Sequence, residues 1–161
     1  GHKNIKNLSR GNDRVSIAGF NYRMTELQGA IGKVQLKKLN LLLTDNKKKF
    51  KIIEKILNNF KHREMPKNGI SNFDNFIFYV KNNYEKNKVL KILKKNNLST
   101  KNLPDAIKWH CAFYWKHIFK KKELNNVLKT KKILDKAIAI PIFFKKDASF
   151  YKKLSYEINK I

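Results

Sequence analysis

The stretch GFNYRMTELQGAIGKVQLKKL, Gly19–Leu39, passes from a polar loop carrying an arginine into a helix within a few residues. Thr25 followed three positions later by Gln28 has the form of a capping box, in which each side chain satisfies an otherwise orphaned amide of the first turn. Glu26 puts a negative charge where the helix dipole favours one. Leu27, Ala30, Ile31, Val34 and Leu41 then recur at helical spacing, an apolar face that is expected to be exposed wherever a covering large domain is missing. The rhythm continues through KKKFKIIEKILNNF, with Phe50, Ile53 and Leu57 inward, and stops near Asn58 and Asn59. A helix of about 35 residues exceeds the usual range, so a bend or break is expected near Thr44-Asp45-Asn46.

Ahead of that helix, Asn21 offers an amide on a short side chain and Arg23 brings a guanidinium. Donors converging at a helix N-terminus suit an anion, phosphate being the obvious guest. The same residues equally suit a loop that Asn21 and Arg23 tie to neighbouring carbonyls. Residues alone leave both readings open.

Further along, Pro66 and Gly69 mark a turn. FIFYV, Phe76–Val80, is short and β-rich and reads as a buried strand. Lys86 to Lys95 carries Val89, Leu90, Ile92 and Leu93, a helix whose exit at Asn96-Asn97 suits a left-handed cap. Leu98-Ser99-Thr100 is expected to form a brief strand. Leu103 to Phe119 is irregular and aromatic-rich, and a helix follows over Lys122–Leu134. Ala137–Ile142 alternates and meets Pro141, which suits an edge strand. Ala148–Ile161 closes the chain as a helix with Phe150, Leu154 and Ile158 inward. This succession predicts an α+β fold: a long bent helix leading into a small antiparallel sheet with packed helices.

At 161 residues the chain is long enough to bury a core, and its 42% apolar and 12% aromatic content argues against general disorder. Cys111 is the single cysteine, so no internal disulfide forms, and no Cys/His spacing resembles a metal site; a reducing cytoplasm is the expected compartment. The longest apolar run, Ala137–Phe144, is too short to span a bilayer. GHKNIKNLSR has no apolar segment of the kind a signal peptide needs.

A formal charge of +25 calls for a polyanionic partner, nucleic acid first among them. Its make-up weakens that reading, because 33 Lys stand against four Arg, and base-edge recognition favours the arginine fork. Lys, Asn and Ile share AT-rich codons, so genome composition accounts for much of the excess. Nucleic acid is therefore not the favoured partner.

No complete catalytic signature is present: no P-loop, GxGxxG, GxSxG or HExxH. His110 beside Cys111 invites a nucleophile reading, but adjacent side chains point in different directions. Trp109–Phe119, WHCAFYWKHIF, reads either as a loop folded over the core or as a binding surface.

GFNYRMTELQGAIGKVQLKKL resembles the hallmark segment of the DegT/DnrJ/EryC1/StrS sugar aminotransferases. Gly19, Asn21, Arg23, Met24, Thr25, Glu26, Ala30, Gly32, Gln35, Leu36 and Leu39 match; Gly29 departs, since alanine is usual there. LKKNNLST and ILDKAIAIPIF resemble later elements of the same family. The resemblance implies a fold-type-I enzyme that uses pyridoxal 5'-phosphate to move an amino group, usually from glutamate, onto a keto-sugar. That sugar would be nucleotide-linked or an octulosonate, in cell-surface polysaccharide biosynthesis such as that of lipopolysaccharide. It further implies that this chain corresponds to the C-terminal portion. Residues 1–24 would continue from a large domain that carries the Schiff-base lysine, and residues 25–161 would form the connecting helix and small domain. By the same resemblance Asn21 binds the cofactor phosphate of a partner subunit in a homodimer, Arg23 supports its loop, and Tyr22 and His110 face the substrate, with His2 near it. No catalytic residue is assigned, and the portion alone is expected to be inactive. The alternative is a free-standing basic small domain that binds nucleic acid or another polyanion.

Overall fold

A computed structural model describes residues 23–65 and 68–161. The chain divides into a unit that ends at Leu39 and a second unit, Asn40–Ile161.

In the first unit, the described residues are the entry and opening turns of helix α1 (Glu26–Ile56). The capping box forms as the sequence predicts: the Thr25 amide donates to Gln28 Oε1 (2.9 Å), and the Gln28 amide donates to Thr25 Oγ1 (3.2 Å). The apolar face of this stretch lies open, as expected for the portion without its large domain. Leu27, Ile31 and Val34 are exposed, as are Ala30 in this unit and Leu41 in the second. Nor is Gly29 there for want of space, since a Cβ would meet Met24 Sδ at an ordinary 3.8 Å.

The second unit is built around strands β1 (Asn75–Tyr79) and β2 (Ala137–Pro141), paired antiparallel with Phe76 opposite Ile140 and Phe78 opposite Ile138. Phe76 and Phe78 face a core shared with Phe50 and Ile53 of α1, Leu57, Val89 and Leu93 of α2 (Asn83–Lys95), and Tyr151, Leu154 and Ile158 of the last helix. The opposite face, with Ile77, Tyr79, Ala137 and Ala139, packs against Leu103, Ile107 and Leu134. Covering on both sides explains why Ala137–Ile140 are all buried instead of alternating.

No break interrupts α1 at Thr44–Asn46, contrary to expectation. The polar side chains that would compete with the helix backbone are engaged outward instead: Asp45 with Lys49, and Asn46 Nδ2 with the Asn72 carbonyl (3.3 Å). Leu98–Thr100 forms no strand; Leu98 is buried beneath the α2 exit, where Asn97 takes the left-handed cap that was predicted (φ 54°). An irregular turn, Lys101–Asp105, and two short helical segments follow, α3 (Ile107–His110) and a 3₁₀ turn, Ala112–Tyr114. The predicted Lys122–Leu134 helix is two, α4 (Lys121–Asn125) and α5 (Leu128–Leu134), divided at Asn125-Asn126, residues of low helix propensity. In α6 (Ala148–Asn159), Tyr151 is the fully buried aromatic, while Phe150 is only half-buried. Burial is tolerable for the tyrosine because its hydroxyl is satisfied: it donates to the Pro141 carbonyl (3.0 Å) and accepts from the Phe143 amide (2.7 Å).

Candidate functional site

Of the residues that the sequence marks for a site, Asn21, Tyr22 and His2 lie outside the described residues. Arg23 is exposed just before α1 and forms no hydrogen bond or ion pair with a described residue. The loop that it is expected to support also lies outside them. The capping box occupies the amides of Thr25 and Gln28, and the Glu26 and Leu27 amides of the first turn donate to no described residue.

His110 stands at the end of α3 and lines a cleft of about 710 Å³ in the second unit. Around it the cleft collects Arg63, Ser71, Asn72, Asp74 and Asn75, together with the apolar surface of Ile77, Leu103 and Ala139. The 71–74 segment is tied down by hydrogen bonds and ring packing. Phe73 donates its amide to Ser71 Oγ (3.0 Å), the Asp74 carbonyl accepts from the Ile142 amide (2.7 Å), and the Phe73 ring packs edge-on against Phe50 at 5.3 Å. Phe73 has φ 54°, a conformation that costs a non-glycine residue about 1–2 kcal/mol and that this packing offsets. The result is a cleft whose largely apolar walls carry the hydrogen-bonding groups of Ser71, Asn72, Asp74 and Asn75.

His110 and Cys111 do not form a dyad: His110 is exposed in the cleft, whereas Cys111 is 1% exposed on the core side. The aromatic segment is for the most part folded onto its surroundings. Trp115 stacks on Phe119 and donates Nε1–H to the Lys108 carbonyl (3.0 Å), and the Tyr114 hydroxyl donates to Asp135 (3.1 Å). Partial burial and the adjacent Asp135 charge push the Tyr114 phenol above its usual range. Trp109 and Ile118 remain exposed.

Two features escaped the sequence reading. Arg63 belongs to a strand-like segment beside β1, donating its amide to the Ile77 carbonyl (2.9 Å), while the Tyr79 amide donates to Lys61 (2.8 Å). Lys49 is the other. It is 1% exposed and directs its ammonium to Asp45 and to the carbonyls of Phe143 (3.1 Å) and Phe144 (3.3 Å). The Asp45/Lys49 spacing was visible as an i, i+4 pair, but nothing local revealed its burial.

A long capped helix, a small two-stranded sheet with packed helices and a cleft beside His110 together define an α+β domain. The chain belongs to the DegT/DnrJ/EryC1/StrS aminotransferase family, whose model matches residues 2–148. That family comprises pyridoxal-phosphate-dependent sugar aminotransferases. A search of curated proteins finds no match to the chain.

The described residues do not build a pyridoxal phosphate site by themselves. A lysine that condenses with the cofactor needs a free amine in a protected place. Lys49 is the only buried lysine among the described residues, and its three donors are taken by the three partners above. No carboxylate among them is buried to face a pyridine nitrogen. What they do supply is a cleft that carries a few hydrogen-bonding groups, and a helix start.

Proposed function

We propose that this chain is the C-terminal part of a pyridoxal-phosphate-dependent aminotransferase that moves an amino group, from glutamate, onto a nucleotide-linked or octulosonate keto-sugar for cell-surface polysaccharide synthesis in the cytoplasm. In this reading α1 and the unit that follows it complete a large domain that carries the reactive lysine. Two such assemblies form a homodimer. Asn21 reaches the cofactor phosphate of the partner subunit, Arg23 braces the loop that presents Asn21, and Tyr22 and His110 face the sugar.

The observation that carries the proposal is the apolar stripe at the start of α1. Met24, Leu27, Ile31 and Val34 are all at least half exposed, and they lie within the residues that the family model matches. So much apolar surface on one helix face favours a protein cover. The His110 cleft, with its amide and hydroxyl groups, supports the sugar side of the reading.

The test pairs the chain with a lysine-bearing large domain supplied separately. Pyridoxal phosphate should give its protein-bound absorbance band, and glutamate-dependent amination of a keto-sugar should appear, only in the pair. Asn21→Ala should loosen cofactor retention there. Transamination by the 161-residue chain alone, or a pair that binds no cofactor, overturns the proposal.

A further inference from the structure

A second cleft, of about 880 Å³, opens at the end of the sheet in the Asn40–Ile161 unit. Six cationic side chains line it: Lys61, Arg63, Lys86, Lys129, Lys132 and Lys136. Each arrives for a definite structural reason. His62 is bridged to Phe78 and packs its ring on Phe76 at 5.5 Å, so it faces the core. Successive residues of an extended segment point to opposite faces, which sends Lys61 and Arg63 to the other side, with Ile77 and Tyr79. Lys129 and Lys132 lie three apart on α5 and therefore share a face. Lys136 is held where its carbonyl accepts from the Val80 amide (3.0 Å). Lys86, on the first turns of α2, donates Nζ–H to the Asp135 carbonyl (2.6 Å), and burial lowers its pKa against the opposing pull of the Asp135 carboxylate.

The negative charge in the cleft does not match. Its two carboxylates are Glu64 and Asp135, and the Asp135 carboxylate is already engaged by Lys131 and the Tyr114 hydroxyl. Among the described residues, no ion pair engages Lys61, Arg63, Lys129, Lys132 or Lys136. An abundance of surface lysine accounts for cations spread over convex surface, where water and distance relieve their repulsion. It does not by itself account for six cationic residues bordering one cleft with two carboxylates, where unrelieved repulsion costs more than on a convex surface. The N-terminal end of α2, at Asn82 and Asn83, adds its positive dipole end to the same wall.

We propose that this cleft is a binding site for a small anion that carries two or more phosphate groups. Its volume falls within the range of small-molecule sites. Lysine-rich recognition favours phosphate, a compact and highly charged group, over a single carboxylate. Tyr79 and His62 are the aromatic side chains in the lining, and the His62 ring is packed on Phe76, which leaves too few for the stacking platform that holds a single nucleic-acid strand.

Calorimetric titration of the 161-residue chain tests this, with inorganic tripolyphosphate and fructose 1,6-bisphosphate as separate probes at fixed ionic strength. The two arms distinguish contiguous phosphates from phosphates borne apart on an organic body. At least one should bind saturably with a stoichiometry of one. The double variant K132Q/K136Q should weaken that binding at least tenfold. K152Q/K153Q, which removes the same charge from exposed positions on α6, should change it less than twofold. Circular dichroism melts confirm that both variants fold, and because all four side chains are exposed, both should. Equal weakening by the two variants would mean that net charge alone attracts the probe, and the site would be abandoned. Absence of saturable binding to either probe overturns it too. So does tighter binding of a 12-nucleotide RNA that both variants weaken equally, which would make the basic surface a nucleic-acid face.

Discussion

Between Glu26 and Leu39, helix α1 leaves Leu27 and Ile31 70% and 53% exposed; between Asn40 and Ile56 it buries Phe50 and Ile53 almost completely. The apolar spacing is of the same kind in both stretches. What differs is whether the chain folds something over it: β1, α2 and α6 close on the second stretch, while no described residue buries the first. Periodicity thus identifies a face that some apolar surface is meant to cover. It does not say which polypeptide holds the cover.

The strongest way to break this contrast is a matched pair of truncations. Ile53→Ala empties a fully buried position and should cost about 3 kcal/mol of folding stability. Leu27→Ala removes an exposed side chain from a helix and should stay within about 0.5 kcal/mol. Urea unfolding followed by far-UV circular dichroism measures both. Comparable losses at the two sites would mean that the start of α1 is packed in solution, and the contrast would fail.

Lys49 sharpens the comparison from the polar side. It sits on the buried stretch of α1, and its ammonium anchors the chain leaving β2 through the carbonyls of Phe143 and Phe144. Lys49→Met keeps most of the volume but leaves Asp45 and two carbonyls without their donor. Asp45 is partly open to water, which softens the loss, so about 2 kcal/mol is expected by the same unfolding measurement. A neutral or stabilising result would show that apolar packing alone holds this half, as replacement of some buried ion pairs by apolar residues does.

These two sites also show where sequence legibility ends. The capping box at Thr25 and Gln28, the strand read at Phe76–Val80 and found at Asn75–Tyr79, the Asn97 cap and inward Ile53 and Leu57 were all readable, because local hydrogen bonding and local spacing determine them. The break expected at Thr44–Asn46 was wrong because Asp45 and Asn46 find distant or i+4 partners, Lys49 and Asn72, that no local rule supplies. Ala137–Ile140 read as half-buried because its second covering layer, with Leu103 and Ile107, comes from a segment with no periodic signal. In the His110 cleft, the histidine was marked in advance. Arg63, Ser71 and Asn72 were not, since turns and an isolated bridge bring them there.

The two helix starts offer the finest test, because α1 and α6 are capped by different chemistry. The capping bonds of α1 hold no ionisable group, only Thr25 and Gln28. Asp147 caps α6 through a carboxylate that accepts from the Phe150 amide (2.7 Å) and the Ser149 hydroxyl (3.0 Å). Those bonds, the backbone amide foremost, favour the charged form and hold its pKa below the usual carboxylate range. A depressed folded-state pKa means that the unfolded chain takes up the proton first as pH falls. The stabilisation is therefore complete above the unfolded value of about 3.9 and disappears as pH drops through the lower folded value. Asp147→Asn retains a capping acceptor without the charge. Wild type should melt slightly higher than this variant at pH 6, and the gap should close between pH 4 and pH 2. A Thr25→Ser variant, which keeps an uncharged cap on α1, should show no such pH-dependent gap. A gap for Asp147→Asn that is constant across the same range would mean that the carboxylate acts by shape and not by charge, and the distinction between the two helix starts would be lost.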